Sequence, residues 1–145
     1  MDSGSDHAGC GMPTIGLEFH HVGVACERID GETEFWTGLG YSAEGEPFVD
    51  AEQGIRARFM TGGGPRIELI EALEGSTTLA PWLKRYTKFY HMGYFVGDFD
   101  AAFEEIRSQR AVVLRTPVQS VYFGARIAFF LMPNSAVIEI IERKH

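Results

Sequence analysis

The sequence predicts a mixed α+β domain in which a module of one strand, one helix and three further strands occurs twice. The first observation is an internal repeat with a spacing of about 70 residues, since FHHVG at residues 19–23 aligns with FYHMG at residues 89–93. The same offset aligns RARF at residues 56–59 with RIAF at residues 126–129. The second observation is that short segments alternate apolar and polar side chains between glycine-containing turns, which is typical of half-buried strands. We therefore expect paired βαβββ modules that form a curved, partly open eight-stranded sheet around a cleft.

The first module is predicted over residues 17–73. Its first strand, at residues 17–25, alternates large apolar side chains with polar or small ones. A helix follows from Asp30, a residue type that caps helix N-termini, and ends at the glycines before residue 41. Three strands separated by turn residues complete the module, at residues 41–48, 55–61 and 66–72.

The second module repeats this order over residues 89–143, after a linker at residues 74–88. Within the linker, residues 79–83 are predicted as a short helix whose first turn contains the proline. The elements of the second module are predicted as a strand at 90–96, a helix at 100–109, and strands near Val112, at 126–131 and at 136–142. Residues 1–14 are rich in Gly, Ser and Asp and have no hydrophobic signal core, so we expect a disordered leader there.

The composition argues against several classes of function. With 145 residues, a net charge of -7 and a pI near 5.2, the chain lacks the concentrated basic face that binds nucleic acid. Its longest apolar run, at residues 127–132, is too short to cross a membrane. Two cysteines, Cys10 and Cys26, do not make a disulfide framework, so we expect free thiols and a cytoplasmic protein.

The repeat places potential metal ligands at equivalent positions in both modules. His21 aligns with His91, and Glu68 aligns with Glu139 after one residue of drift. A glutamate inside an apolar strand is costly to bury unless it is paired or bound to a metal. Two imidazoles and two carboxylates suffice for one divalent cation with open positions, so these four residues are the predicted metal ligands.

Two alternatives to this ligand set remain open from the residues alone. His20 and Glu71 are competing ligands by proximity, although His20 aligns with Tyr90 rather than with a histidine. In the other alternative no metal binds, both glutamates face solvent on a sheet covered on one side, and both histidines are ordinary sheet residues. If a cation binds, we expect Zn, Co, Ni, Mn or Fe.

The segments that carry these ligands resemble the vicinal oxygen chelate superfamily, which has the glyoxalase and bleomycin-resistance fold. The similarity covers almost all of residues 17–142. The matching segments are HVGV at 21–24, IELIE at 67–71, HMGYFV at 91–96 and IEII at 138–141. The resemblance implies two modules around a cleft in which four strands hold the metal.

Within the superfamily, the chain looks most like methylmalonyl-CoA epimerase. The similar segments are EQGI at residues 52–55, the linker at 76–83 and FYHM at 89–92. In that family the glutamate of the Glu-Gln-Gly segment is a proton-transfer base, and the resemblance assigns this role to Glu52. Glu139, the last metal ligand, is the second candidate base.

The chain departs from the epimerases where those enzymes handle acyl-CoA. A His-Pro-Lys-like segment and the glycine-rich stretch before it are replaced at residues 131–135 and 120–124. Tyr122 aligns with Glu52 at the 70-residue offset and is a further catalytic candidate. Phe123 is a candidate for an aromatic wall of the substrate pocket, and Arg126 is a candidate contact for an acidic substrate.

The resemblance implies a metal-dependent isomerase, epimerase or lyase. A divalent metal stabilises the enolate that forms when a carboxylate removes a proton next to a carbonyl. The expected partner is a small-molecule carbonyl compound, either an acyl-CoA or a 2-oxo or hydroxy compound, and we expect a homodimer that binds neither nucleic acid nor membranes.

Two other functions are found on the same fold and are the alternative hypotheses. A non-haem iron extradiol-type dioxygenase keeps three protein ligands, so Glu68 as a fourth candidate counts against it. A metal-free resistance protein that sequesters a drug or natural product usually lacks the complete ligand set, which is present here.

Overall fold

The computed structural model describes residues 16–144, so the predicted leader at residues 1–14 and Cys10 lie outside the described residues. The elements follow the order strand, helix and three strands twice, with a short helix between the two series. They are β1 (Glu18–Ala25), α1 (Ile29–Gly38), β2 (Ser42–Asp50), β3 (Ile55–Thr61), β4 (Ile67–Ala72), α2 (Ala80–Lys84), β5 (Phe89–Val96), α3 (Phe99–Arg107), β6 (Val112–Gln119), β7 (Arg126–Leu131) and β8 (Val137–Glu142). The predicted α+β class and the βαβββ order are confirmed.

The eight strands belong to one sheet with the hydrogen-bonded order β2-β3-β4-β1-β5-β8-β7-β6. The predicted number of strands is therefore confirmed. Contacts among the described residues divide them into two compact units: residues 20–92 form the first unit, and residues 16–19 together with residues 93–144 form the second. The module limits drawn from the sequence stay a prediction.

In the first unit, β1 lies parallel to β4, while β3 lies antiparallel to β2 and to β4. One apolar core of this unit includes the first residue of α1 and consists of Val24, Cys26, Ile29, Tyr41, Met60, Ile67 and Leu69. A second cluster lies under the predicted linker, where Leu79 is fully buried against Ile55 and Ile70. Burial of Leu79 fixes the linker to the sheet of this unit, because each fully buried leucine contributes roughly 2 kcal/mol.

In the second unit, β7 lies antiparallel to both β6 and β8. Helix α3 begins after Asp98, whose carboxylate accepts a hydrogen bond of 3.0 Å from the backbone N–H of Ala101. The helix starts at Phe99, so the predicted start at residue 100 is one residue late. The helix packs on the sheet through a core of Phe99, Ala102, Ile106, Ala128, Phe130 and Ile140.

The predicted N-cap of α1 is wrong. The helix begins at Ile29, its N-cap is Arg28 without a side-chain hydrogen bond, and Asp30 lies inside the first turn. Instead, Oε1 of Glu71 on β4 accepts a hydrogen bond of 2.7 Å from the backbone N–H of Ile29. A carboxylate from a neighbouring strand thus satisfies a donor that the helix itself leaves open, and its charge is favourable at a helix N-terminus.

Cys26 is free and buried, as predicted for a thiol that makes no disulfide. Burial raises the pKa of its thiol to about 12. Within residues 16–144, none of the helices is long and apolar enough to cross a membrane. The cytoplasmic location stays a prediction.

Replacement of Glu71 by Ala is expected to lower the free energy of unfolding by about 1 to 2 kcal/mol, because the N–H of Ile29 loses its acceptor. Glu71→Gln keeps an acceptor oxygen and is expected to cost less. Urea denaturation measures both changes, and Glu74→Ala, at an exposed position, is the control. A Glu71→Ala protein no less stable than the Glu74→Ala protein would contradict the capping role.

Candidate metal centre

Two buried histidines face each other on neighbouring strands of the first unit. His21 lies on β1 and His91 lies on β5, and neither ring is more than 3% exposed. Their Nε2 atoms are 3.1 Å apart. The 70-residue offset between them reflects equivalent positions in the repeat, so the predicted meeting of the two imidazoles is observed.

The space for the His91 ring depends on a glycine of β1. A Cβ atom built on Gly23 would lie 2.1 Å from Cε1 of His91 and 2.3 Å from its Nδ1. Such distances are far below van der Waals contact, so any larger residue at Gly23 must displace the ring. The glycine that follows His21 by two residues therefore forms a cradle for the second imidazole.

Glu68 brings a carboxylate to the same two rings. In the parallel pair of β1 and β4, Glu68 is the register partner of Gly23. Its Oε1 lies 3.0 Å from Nε2 of His21 and 3.8 Å from Nε2 of His91. Glu68 is buried between Ile67 and Leu69, which excludes the alternative in which it faces solvent.

Glu139 holds the equivalent position in the second unit. It lies on β8 opposite Phe129, just as Glu68 lies on β4 opposite Phe59, and it is 3% exposed. The four predicted ligands form a group in which one ligand atom of each lies within 4.8 Å of those of the others. They are His21, Glu68, His91 and Glu139.

This donor set fits a divalent cation. Two imidazoles and two carboxylates are the ligands that Zn and the other first-row divalent metals take in proteins, and four ligands leave positions open on a six-coordinate ion. Burial of carboxylates beside neutral rings is costly unless a positive charge lies close by. The atoms that would face the ion, Nε2 of both histidines and Oε1 of Glu68, already point at one another.

The competing ligands named from the sequence have other contacts. Nδ1 of His20 lies 2.9 Å from Nδ1 of His21, so the His20 ring contacts His21 at the ring nitrogen that does not face His91. Glu71 caps helix α1. The alignment of the repeat therefore favoured His21 and Glu68, which do lie next to each other.

Glu52, the predicted base, lies in the turn between β2 and β3 and is exposed. The turn is fixed by Gln53, whose side-chain amide donates a hydrogen bond of 2.8 Å to the buried carboxylate of Asp50. The carbonyl of Gln53 accepts a hydrogen bond of 2.8 Å from the hydroxyl of Thr78. This arrangement was not predicted from the sequence, although the glutamine that follows Glu52 is a signal for it. The carboxylate of Glu52 is thus exposed, while hydrogen bonds of Gln53 hold the backbone of its turn in place.

Tyr122 and Phe123 lie in the turn between β6 and β7. Tyr122 is 41% exposed, and its ring meets that of Phe123 edge to face with centroids 5.0 Å apart. Phe123 also contacts Phe95 edge to face at 5.7 Å, and its backbone N–H donates to Oγ of Ser120. The second unit therefore presents a small aromatic cluster at this turn, and its role in substrate binding stays a prediction.

Arg126, the predicted substrate contact, takes part in an ion-pair network. Its guanidinium donates to both carboxylate oxygens of Glu142 at 3.2 and 3.0 Å and to Asp100 at 2.9 Å. It also lies 4.6 Å above the ring of Phe99. The hydrogen bonds from Arg126 hold the pKa of the Glu142 carboxyl below its ordinary value. These contacts give the side chain a role in joining α3, β7 and β8, and contact with substrate stays a prediction.

Solved structures with the same fold include methylmalonyl-CoA epimerases. The enzyme from Mycobacterium tuberculosis is 26% identical, with a TM-score of 0.72 over 88% of this chain and 89% of that one. A Streptomyces coelicolor epimerase variant in complex with 2-nitronate-propionyl-CoA is also 26% identical, with a TM-score of 0.72 over 90% of this chain and 100% of that one. A hypothetical protein from Bacillus halodurans is 24% identical, with a TM-score of 0.75 over 90% and 96% of the two chains.

No curated protein sequence matches the chain significantly. The sequence pattern of one family matches residues 20–142, which include all four clustered ligands and both helices that cover the sheet. The chain therefore belongs to the Glyoxalase/Bleomycin resistance protein/Dioxygenase superfamily.

Proposed function

We propose that the chain is a metal-dependent isomerase or epimerase that removes a proton next to a carbonyl group of a small-molecule substrate. The observation that carries this proposal is the buried group of two histidines and two glutamates. Its support from other proteins is the similarity to methylmalonyl-CoA epimerases, one of them in complex with methylmalonyl-CoA. We propose an acyl-CoA as the first substrate class to test, ahead of 2-oxo and hydroxy compounds.

In this proposal His21, Glu68, His91 and Glu139 hold one divalent cation. The bound cation would act as a Lewis acid that withdraws charge from a substrate carbonyl oxygen and thereby makes the neighbouring C–H more acidic. The two histidines bind through Nε2 only when that nitrogen carries no proton, so the site requires both rings to be neutral. The apolar strands around Glu68 exclude water from the carboxylate and strengthen its attraction to a positive charge.

Glu52 is the proposed general base. A carboxylate positioned within hydrogen-bond reach of a substrate proton accelerates its removal by about 10²- to 10⁴-fold. Glu52 meets the requirement for a fixed position, because Gln53 ties its turn to Asp50 and Thr78. It also meets the requirement for access, because its side chain is exposed before substrate binds.

Tyr122 is the proposed second catalytic group. An epimerase must remove a proton from one face of a carbon and return one to the other face, which requires two different groups. Tyr122 is equivalent to Glu52 in the repeat, and a phenol can donate a proton where a carboxylate accepts one. Glu139 is the alternative partner, since one of its oxygens can bind a cation while the other accepts a proton. Phe123 would supply an apolar wall for the acyl group.

Replacement of Gly23 by Ala is expected to weaken Zn²⁺ binding by roughly 10- to 100-fold, because the new methyl group displaces the ring of His91. Competition with a chromophoric chelator measures the affinity, and circular dichroism reports folding. Gly97→Ala is the matched control, since a Cβ there meets nothing within 4 Å. His91→Ala tests the same ligand without a clash. Unchanged Zn²⁺ affinity in both the Gly23→Ala and the His91→Ala proteins would contradict the metal centre.

Replacement of Glu52 by Gln is expected to slow exchange of the C2 hydrogen of methylmalonyl-CoA with solvent deuterium by about 10²- to 10⁴-fold. Metal affinity is expected to stay unchanged, because Glu52 is not among the clustered ligands. Mass spectrometry measures the exchange with Zn²⁺, Co²⁺, Ni²⁺, Mn²⁺ or Fe²⁺ added, and Glu46→Gln is the exposed control on β2.

Other outcomes of this assay decide among the functions found on this fold. Exchange that survives Glu52→Gln and is lost in a Glu139→Gln protein that still binds the metal would transfer the role of base to Glu139. Metal-dependent uptake of oxygen without proton exchange would favour a dioxygenase and contradict the isomerase. Tight binding of a small molecule by protein that takes up no metal would favour a sequestering protein.

A further inference from the structure

His20 and His21 contact each other through the same ring atom. Nδ1 of His20 lies 2.9 Å from Nδ1 of His21, and the two rings are nearly perpendicular with centroids 5.1 Å apart. Adjacent residues of a strand ordinarily point to opposite faces of the sheet, so this contact requires a particular orientation of the His20 side chain. The contact lies on the side of His21 away from Nε2, the atom that meets His91 and Glu68.

Several contacts hold His20 in this orientation. Phe59 meets the rings of His20 and His21 edge to face, at centroid distances of 5.4 and 5.2 Å. The guanidinium of Arg66 donates a hydrogen bond of 3.1 Å to the backbone carbonyl of His20 and forms an ion pair with Glu44. The backbone and the ring of His20 therefore both make contacts within the first unit.

The chemistry of imidazole determines which of the two rings donates the hydrogen bond and which accepts it. A neutral imidazole carries one N–H, so a hydrogen bond between two Nδ1 atoms needs one ring to donate and the other to accept. If Nε2 of His21 gives its lone pair to a cation, then Nδ1 of His21 must carry the proton. Nδ1 of His20 is then the acceptor, and the proton of His20 lies on its Nε2.

The second histidine of the site has a different neighbour. The repeat aligns His20 with Tyr90, which precedes His91. Tyr90 stacks on Trp82 with an angle of 27° between the rings. The arrangement of two adjacent histidines thus occurs in the first copy of the module and not in the second.

We propose that His20 is a positioning residue that selects the metal-binding tautomer of His21. This inference rests on the metal centre of the proposed function and adds a residue to it. Metal-binding histidines ordinarily donate their second N–H to a carboxylate, a backbone carbonyl or water. Here a neutral imidazole accepts that proton, so it orients His21 without adding a third negative charge to a site that already holds Glu68 and Glu139.

Asparagine and glutamine at position 20 test this role as a matched pair. The side-chain oxygen of Asn occupies about the place of Nδ1 of a histidine, whereas the polar end of Gln occupies about the place of Nε2. Zn²⁺ affinity of the full chain, measured by chelator competition, is expected to fall roughly 10- to 100-fold in His20→Gln and in His20→Phe. His20→Asn is expected to retain most of the affinity, and circular dichroism verifies that each variant is folded.

A spectroscopic measurement on the Zn²⁺-loaded protein tests the proton directly. With nitrogen-15 in the histidine rings, a coupling through the hydrogen bond is expected between Nδ1 of His20 and Nδ1 of His21. A folded His20→Phe protein that binds Zn²⁺ as tightly as the unaltered chain, while His21→Ala does not, would overturn the role of His20 alone. Equal affinities for the unaltered chain and His21→Ala would instead overturn the metal centre, and the inference would fall with it.

Discussion

The candidate metal centre depends on the burial of two glutamates and two histidines in strands of the sheet. Glu68 lies between Ile67 and Leu69 on β4, and its carboxylate is 3.0 Å from Nε2 of His21. Isolated burial of such a charge costs several kcal/mol, so the fold tolerates it only because partners with matching chemistry are fixed beside it. Gly23 makes this possible for His91, since even a methyl group there would overlap the ring.

The proposed function assigns metal binding to buried side chains and proton transfer to exposed ones. The four clustered residues are buried on strands of the sheet, which suits the proposed binding of a cation. Glu52 and Tyr122 are exposed on turns, where a substrate can reach them. Turns that carry catalytic groups on a rigid sheet are a common arrangement, because the sheet fixes position while the turns set specificity.

The repeat made the sheet and the clustering of the four candidate ligands predictable from the sequence. Equivalent positions in two copies of a module have equivalent strands and faces, so His21 and His91 could be selected over His20. Side-chain contacts between residues far apart in the sequence were not predicted. Glu71 caps a helix 42 residues earlier in the chain, and Arg126 binds a carboxylate 26 residues away on α3. The contact of His20 with His21 escaped because it depends on side-chain torsions, which alternation along a strand does not determine.

X-ray absorption spectroscopy of the Zn²⁺-loaded chain reports directly which atoms surround the ion. We expect one ion per chain with nitrogen and oxygen ligands at about 2.0 to 2.2 Å and with the scattering pattern of two imidazole rings. In a His91→Ala protein we expect the loss of one imidazole from that pattern. A chain that retains no Zn²⁺, or an ion surrounded only by oxygen atoms, would contradict the claim that these histidines and glutamates form a metal centre.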